Sequence, residues 1–234
     1  MPMTAEPEIR TPQLESDLGG RGWHRLPKLL TPSDCADLSA MFDADERFRS
    51  TVTMQRHGFG RGEYRYFAYP LPAVLERLRQ RLYERLAPLA NRWAARLGAS
   101  ASFPADLSAF TRLCHASGQV RPTPLLLRYR AGDYNCLHQD LYGDLHFPFQ
   151  VAVLLSEPEV DFDGGEFVLT EQRPRMQSRA HVVPLRMGDA VVFAVNEAPR
   201  AGTRGTYRVK MRHGVSEIRR GERFTLGIIF HDAR

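Results

Sequence analysis

Cysteine is scarce: Cys35, Cys114 and Cys136 are all that the 234 residues contain. An odd number of widely spaced thiols makes neither a disulfide framework nor a zinc ribbon, so all three are expected to be reduced. No apolar run of about 18 residues occurs, which leaves no helical membrane span. The opening MPMTAEPEIRTPQLESDLGG has neither the basic start nor the apolar stretch of a secretory signal, and it is expected to be a flexible leader over residues 1–20. Together these absences lead us to expect a cytoplasmic protein. Internal repeats and low-complexity segments are missing too.

What is present is a balance of 43% hydrophobic and 25% charged residues, enough to bury a real core. The net charge of +5 is compatible with an anionic partner, and equally with arginines that are simply solvated. Thr31, Pro32 and Asp34 form a helix start, with Cys35, Leu38, Met41 and Phe42 on one face. A second helix is expected from about Pro72, with Val74, Leu75, Leu78, Leu82 and Leu86 as its apolar stripe. Pro88 is expected to kink it or to part it from a turn carrying Leu89, Trp93 and Leu97. From residue 124 the texture changes to short β-type runs: PLLLRY, FPFQVAVLLS, GEFVLT, AHVVPL, DAVVFAV, RHGVSEI and RFTLGIIF. The expected organisation is helical support over 21–123 and a β-rich core over 124–234, packed as one compact domain. A sandwich or barrel suits such strands better than a doubly wound sheet.

Within NCLHQDLYGD, His138 and Asp140 stand two residues apart and share a face of an extended strand. A facial triad needs one more histidine and leaves positions open for reactants. His146, His181, His213 and His231 are the candidates. His213 stands out because it opens HGVSEI, and Arg223 follows ten residues later beyond a turn at RRG. That hairpin would present an imidazole and a guanidinium to one interior, the latter suited to a bidentate carboxylate clamp. His146 is expected at a rim, His181 on a strand without a metal role, and His231 at an exposed end or bracing a neighbour. His115 lies in a segment the pattern does not assign.

On these residues the segment from about Leu125 to the C-terminus resembles the double-stranded β-helix (jelly-roll) of iron(II)- and 2-oxoglutarate-dependent dioxygenases. The resemblance implies that His138, Asp140 and His213 bind Fe(II) and act as the catalytic centre. It implies also that Arg223, Thr225 and Tyr129 hold 2-oxoglutarate. O2 then oxidises the keto acid to succinate and CO2 while a C–H bond is hydroxylated, with ascorbate as an auxiliary reductant. Gly164-Gly165-Glu166 resembles the GGE turn of the superfamily, a structural feature.

Two subfamilies compete for the substrate. DFDGGEF, LRMGDAVVF and GERFTL are similar to prolyl-hydroxylase-like enzymes, which act on protein side chains or free amino acids; other small molecules belong to the same reading. VTMQRHGFGRGEYRYFAYP instead resembles the nucleotide-recognition lid of AlkB-like dealkylases, which places a substrate lid at about 50–69. Arg56, Arg61, Tyr64, Arg65 and Tyr66 would there neutralise phosphates and stack a base of alkylated DNA or RNA. His57, Phe67 and Tyr69 belong to the same stretch. Ile229 stands where AlkB-like enzymes usually carry a second arginine, and Leu127 where they favour a polar residue. The alternative to a lid is a hairpin whose aromatics pack on the sheet. A noncatalytic β-sandwich binding module is the third reading, and the oligomeric state stays open.

Overall fold

The structure, a computed structural model, describes residues 11–203 and 205–234. Its N-terminal part runs α1 (Thr11–Arg21), β1 (Trp23–Leu26), α2 (Pro32–Ala40), β2 (Phe48–Thr53), β3 (Gly60–Arg61), β4 (Glu63–Phe67), α3 (Ala73–Leu97) and α4 (Leu107–Ala116). Then follow β5 (Leu125–Arg130), β6 (Tyr134–His138), β7 (Phe149–Leu154), β8 (Phe162–Gly164), β9 (Phe167–Gln172), β10 (Arg179–Val183) and β11 (Ala190–Ala194). The chain closes with β12 (Glu197–Gly202), β13 (Gly205–Val215) and β14 (Ile218–Ile228).

The strands form two antiparallel sheets that face each other as a jelly roll. The larger has the order β1-β11-β7-β14-β5-β4-β2 with β8 beside β14; the smaller has β10-β9-β13-β6-β3 with β12 beside β13. Strands β7 and β11 are buried at every residue, because helices cover one face of the larger sheet and the second sheet the other. That double cover is why FQVAVL and AVVFA read as continuous apolar runs and not as alternation. The helices bring their own aromatics to the outer face: Trp93 meets Phe149 edge-on at 4.6 Å, and Tyr83 lies 4.9 Å from Phe147.

Thr31 caps α2 as the sequence predicts, in a full capping box with Asp34. Pro88, by contrast, neither ends nor divides α3, which continues through it to Leu97. Pro88 and Glu84, the residue whose carbonyl loses its partner, both lie on the exposed side of the helix, where water can take that hydrogen bond. Residues 1–10 of the expected leader lie outside the described residues. Residues 11–20 belong to α1 and are not a loose leader: Leu14 and Leu18, one turn apart, are buried. The buried Arg200 holds that helix end, donating to the carbonyls of Leu18 and Gly19 while paired with Glu171 at 2.8 Å. Among the described residues no helix is long and apolar enough to cross a membrane.

His231, just past β14, is fully buried and is not an exposed end. Its Nδ1 accepts from the Phe147 amide at 3.2 Å, and its Nε2 has no partner among the described residues. Burial, then the nearby His146, pushes its pKa down from the ordinary 6.5 to about 3. The folded protein therefore keeps this ring neutral, whereas the unfolded chain takes up a proton below 6.5. Stability held above that pH is lost on acidification toward 3, at about 1.4 kcal/mol per pH unit. His231→Gln keeps an acceptor without the titration. Urea unfolding at two pH values should show the variant losing ~2–3 kcal/mol less than the native protein over about two units below 6.5. Equal losses would show that another group sets the acid limb.

Candidate active site

β6 and β13 lie side by side in the smaller sheet, with His138 and His213 in register as Cα partners. Their rings are 4.1 Å apart between centroids. Asp140, two residues past His138, places Oδ1 at 3.5 Å from His138 Nε2 and Oδ2 at 3.4 Å from His213 Nε2. All three ligand atoms lie within 4.8 Å of one another. His138 Nδ1 sits 2.8 Å from the Cys136 carbonyl, which fixes that nitrogen as the donor and leaves Nε2 free to ligate. His213 is packed against Phe193 at 4.6 Å and Phe167 at 6.0 Å.

The electrostatics match this geometry. Burial acts to raise the Asp140 pKa, but the hydrogen bonds and charges of His138 and His213 hold the carboxyl well below the usual range. Burial works against a charged His138, yet Asp140 raises its pKa; for His213, burial and the neighbouring His138 lower it. An anion flanked by two imidazoles is a donor set that a divalent cation completes, and two nitrogens with one carboxylate suit Fe(II).

The triad opens onto a cavity of about 220 Å³ between the sheets. Strand register orders its inner wall. Arg223 on β14 is level with Tyr129 on β5, Thr225 with Leu127, and Gly227 with Leu125 and Ala152. Gln150 on β7 is level with Phe193 on β11, the ring that touches His213. The cavity thus has a guanidinium at one end and the imidazoles at the other. Arg223 is 1% exposed and no carboxylate pairs with it among the described residues; it donates to Thr225 Oγ1 while its Nε has no partner. Burial lowers its pKa to about 10, still charged at neutral pH. Gly165, at φ +62, lets the Arg223 stem pass: a Cβ there would lie 2.9 Å from Arg223 Cδ and 2.2 Å from Ile218 Cδ1. Three buried polar atoms without partners, Gln150 Nε2, His213 Nδ1 and Arg223 Nε, belong to residues that line this one cavity. Such a concentration marks a site built for a polar ligand.

His138, Asp140, His213, Arg223, Thr225 and Tyr129 are thus brought together as the sequence suggests. The route is different for one pair. β13 and β14 are not a hairpin: the chain reverses at Ser216 and Glu217 and changes sheets, so His213 and Arg223 stand on facing sheets of the sandwich, and RRG lies inside β14. In the segment expected to be a lid, β2 and β4 extend the larger sheet beyond β5. Tyr64 and Tyr66 point to the cavity side. Arg65 does not: alternation turns it to the other face, over Phe42 at 4.9 Å and paired with Asp45 at 2.5 Å. Arg56 and Arg61 are exposed on either side of Phe59, which lines the cavity mouth. His146 and His181 stay outside the cavity lining. His115 belongs to α4 and contacts buried Asp232 at 2.9 Å. Tyr142 lines the cavity and donates its hydroxyl to Asp140. Gln150 escaped the sequence reading, although a lone amide in the middle of FPFQVAV was its signal.

Comparison with known proteins agrees with this geometry. A family model described as an oxygenase catalysing oxidative methylation of damaged DNA matches residues 62–233. Uncharacterized proteins from two strains of Mycobacterium tuberculosis are 50% identical over 167 residues, covering 71% of this chain and 72% of theirs. Among solved structures, an oxidoreductase of the 2OG-Fe(II) oxygenase family from Burkholderia pseudomallei has a TM-score of 0.55 at 19% identity, covering 98% of each chain. A prolyl-4-hydroxylase from Pseudomonas putida has a TM-score of 0.54 at 17% identity, covering 96% of this chain and 99% of its own. These two likenesses concern the fold.

Proposed function

The chain belongs to this oxygenase family; from that premise we propose that it is an iron(II)- and 2-oxoglutarate-dependent enzyme that removes alkyl groups oxidatively from nucleic acid, with His138, Asp140 and His213 holding the iron. Iron, 2-oxoglutarate and O2 together supply hydroxylation of a C–H bond, with succinate and CO2 as the other products. The remaining work is done by this chain's residues. Arg223 and Thr225 receive the far carboxylate of the keto acid, beside the buried Tyr129 ring. On an N-methyl group, hydroxylation gives a hemiaminal; its C–N bond breaks, the hydroxyl proton passes to nitrogen, and formaldehyde leaves.

The observation that carries the substrate reading is the mouth of the cavity. Phe59 and Tyr64 line it. Arg49 lies over the Tyr66 ring at 4.5 Å and donates to the Pro122 carbonyl, next to Arg121. Arg49, Arg56, Arg61 and Arg121 make no ion pair among the described residues. Aromatic faces flanked by unneutralised cations suit a base and its phosphates. The test uses methylated single- and double-stranded oligonucleotides and proline-containing peptides, read by mass, formaldehyde and succinate. Loss of the methyl group from the oligonucleotide with equimolar formaldehyde supports dealkylation. Gain of one oxygen on a peptide without formaldehyde, with oligonucleotides unchanged, would move the enzyme to side-chain hydroxylation. The double variant Arg49→Ala/Arg121→Ala should flatten the salt dependence of oligonucleotide binding by about two in log–log slope. An unchanged slope would remove these arginines from the interface.

A further inference from the structure

Asp140 has a second set of contacts that the iron reading does not use. Tyr142 donates its hydroxyl to Asp140 Oδ1 at 2.7 Å, and Tyr66 donates to the Tyr142 oxygen at 3.0 Å. Tyr142 is not a chance neighbour, because its loop is pinned from below. The buried Gln119 donates to the carbonyls of Tyr142, Leu145 and Asp232 at 3.2, 2.9 and 2.6 Å and accepts from the Leu145 amide at 2.9 Å. Gly143, at φ +111, lies so close that a Cβ would sit 2.5 Å from Gln119 Cδ. The Tyr142 ring also rests 6.2 Å from that of His231.

We propose that Tyr142 is a positioning residue that reserves Oδ1 of Asp140 for its own hydroxyl, so that the carboxylate offers the metal Oδ2 alone. The inference rests on the triad reading above. Its physical basis is the count of coordination positions. Six positions less two imidazoles and one carboxylate oxygen leave three, which is what a chelating keto acid and O2 together need. A carboxylate free to turn and chelate would take one of those three. Tyr66, through its hydrogen bond, sets the Tyr142 hydroxyl as donor to Asp140 and plays the supporting part.

Tyr142→Phe removes the hydroxyl and keeps the ring. Calorimetric titration of the full chain, first with Co(II) and then with 2-oxoglutarate on the Co(II)-loaded protein, separates the two ligands. The expected result is Co(II) affinity within about threefold of the native protein and 2-oxoglutarate affinity lower by about tenfold or more, the scale of losing an outer-shell partner. The visible Co(II) spectrum should change as the carboxylate rebinds. Tyr66→Phe, which leaves the Tyr142–Asp140 bond in place, should move 2-oxoglutarate affinity in the same direction by less. Unchanged 2-oxoglutarate affinity in Tyr142→Phe overturns the proposal. So does a loss of both affinities together with a lowered melting temperature, which is a merely structural role. If the native protein itself binds no Co(II), the triad reading fails, a result distinct from either.

Discussion

His138→Ala is expected to abolish iron-dependent succinate formation, a fall well beyond the roughly 10–100-fold that loss of an outer-shell partner costs a metal site. His138 presents Nε2 toward Asp140 and His213, its other nitrogen being committed to the Cys136 carbonyl. Without it, only Asp140, just past β6, and His213 on β13 remain, and neither the ion nor the chelating keto acid has a fixed frame. His138 is the most informative of the three because it lies on the partly open strand β6, so the fold should survive the change. His213→Ala would remove as much activity, but it also empties a buried space between Phe193 and Phe167, adding the cavity cost of any large-to-small core change. The check is metal stoichiometry, succinate yield and melting temperature measured with and without Fe(II). A native protein stabilised by the ion, beside a His138→Ala variant that folds equally well and gains nothing, is the expected pair of results. Full turnover in the variant would remove His138 from the site.

The second large effect concerns Arg223. A buried guanidinium without a carboxylate has been taken out of water at a cost, and a bound dicarboxylate offsets it. Arg223→Met keeps the length of the stem and removes the charge. Truncating one partner of a buried, hydrogen-bonded charge pair costs about 2–5 kcal/mol, roughly thirtyfold to a few thousandfold in affinity. We therefore expect the 2-oxoglutarate requirement to rise by that factor while binding of Fe(II) alone is kept. The melting temperature of the ligand-free protein should stay level or rise, since apolar replacement of buried charge is neutral or stabilising. The combination is diagnostic: a residue that only supports the fold would lose stability and leave the 2-oxoglutarate dependence where it was.

How far the sequence could be read depended on which signals were local. Six of the seven β-type runs from PLLLRY to RFTLGIIF each carry one strand of the sandwich, because each is β-branched or aromatic and bounded by turn residues, whereas RHGVSEI holds the end of β13 and the reversal at Ser216 and Glu217. The strands that escaped are those lacking that texture. β12 reads EAPRAG, with a proline and a glycine that an edge position beside β13 tolerates. β4 is a strand whose inward Tyr64 and Tyr66 and outward Arg65 look, in one dimension, like a single basic aromatic cluster; only the alternation separates them. α1 showed two leucines and a double glycine, too little periodicity to stand out, and its helix is held by Arg200 from far along the chain. The triad was legible because chemistry restricts which residues can serve. Tyr142 was not, since a tyrosine hydroxyl acquires a role only from what it faces.

The change of sheet between β13 and β14 also ties the two ends of the cavity together. Only Ser216 and Glu217 separate the strand that carries His213 from the strand that carries Arg223, yet the two residues stand on facing sheets, which pack about 10 Å apart. The sandwich is thus a caliper with an imidazole on one jaw and a guanidinium on the other. A dicarboxylate that reaches both must cross from one sheet to the other, so its two ends are held by walls that the chain joins through only two residues.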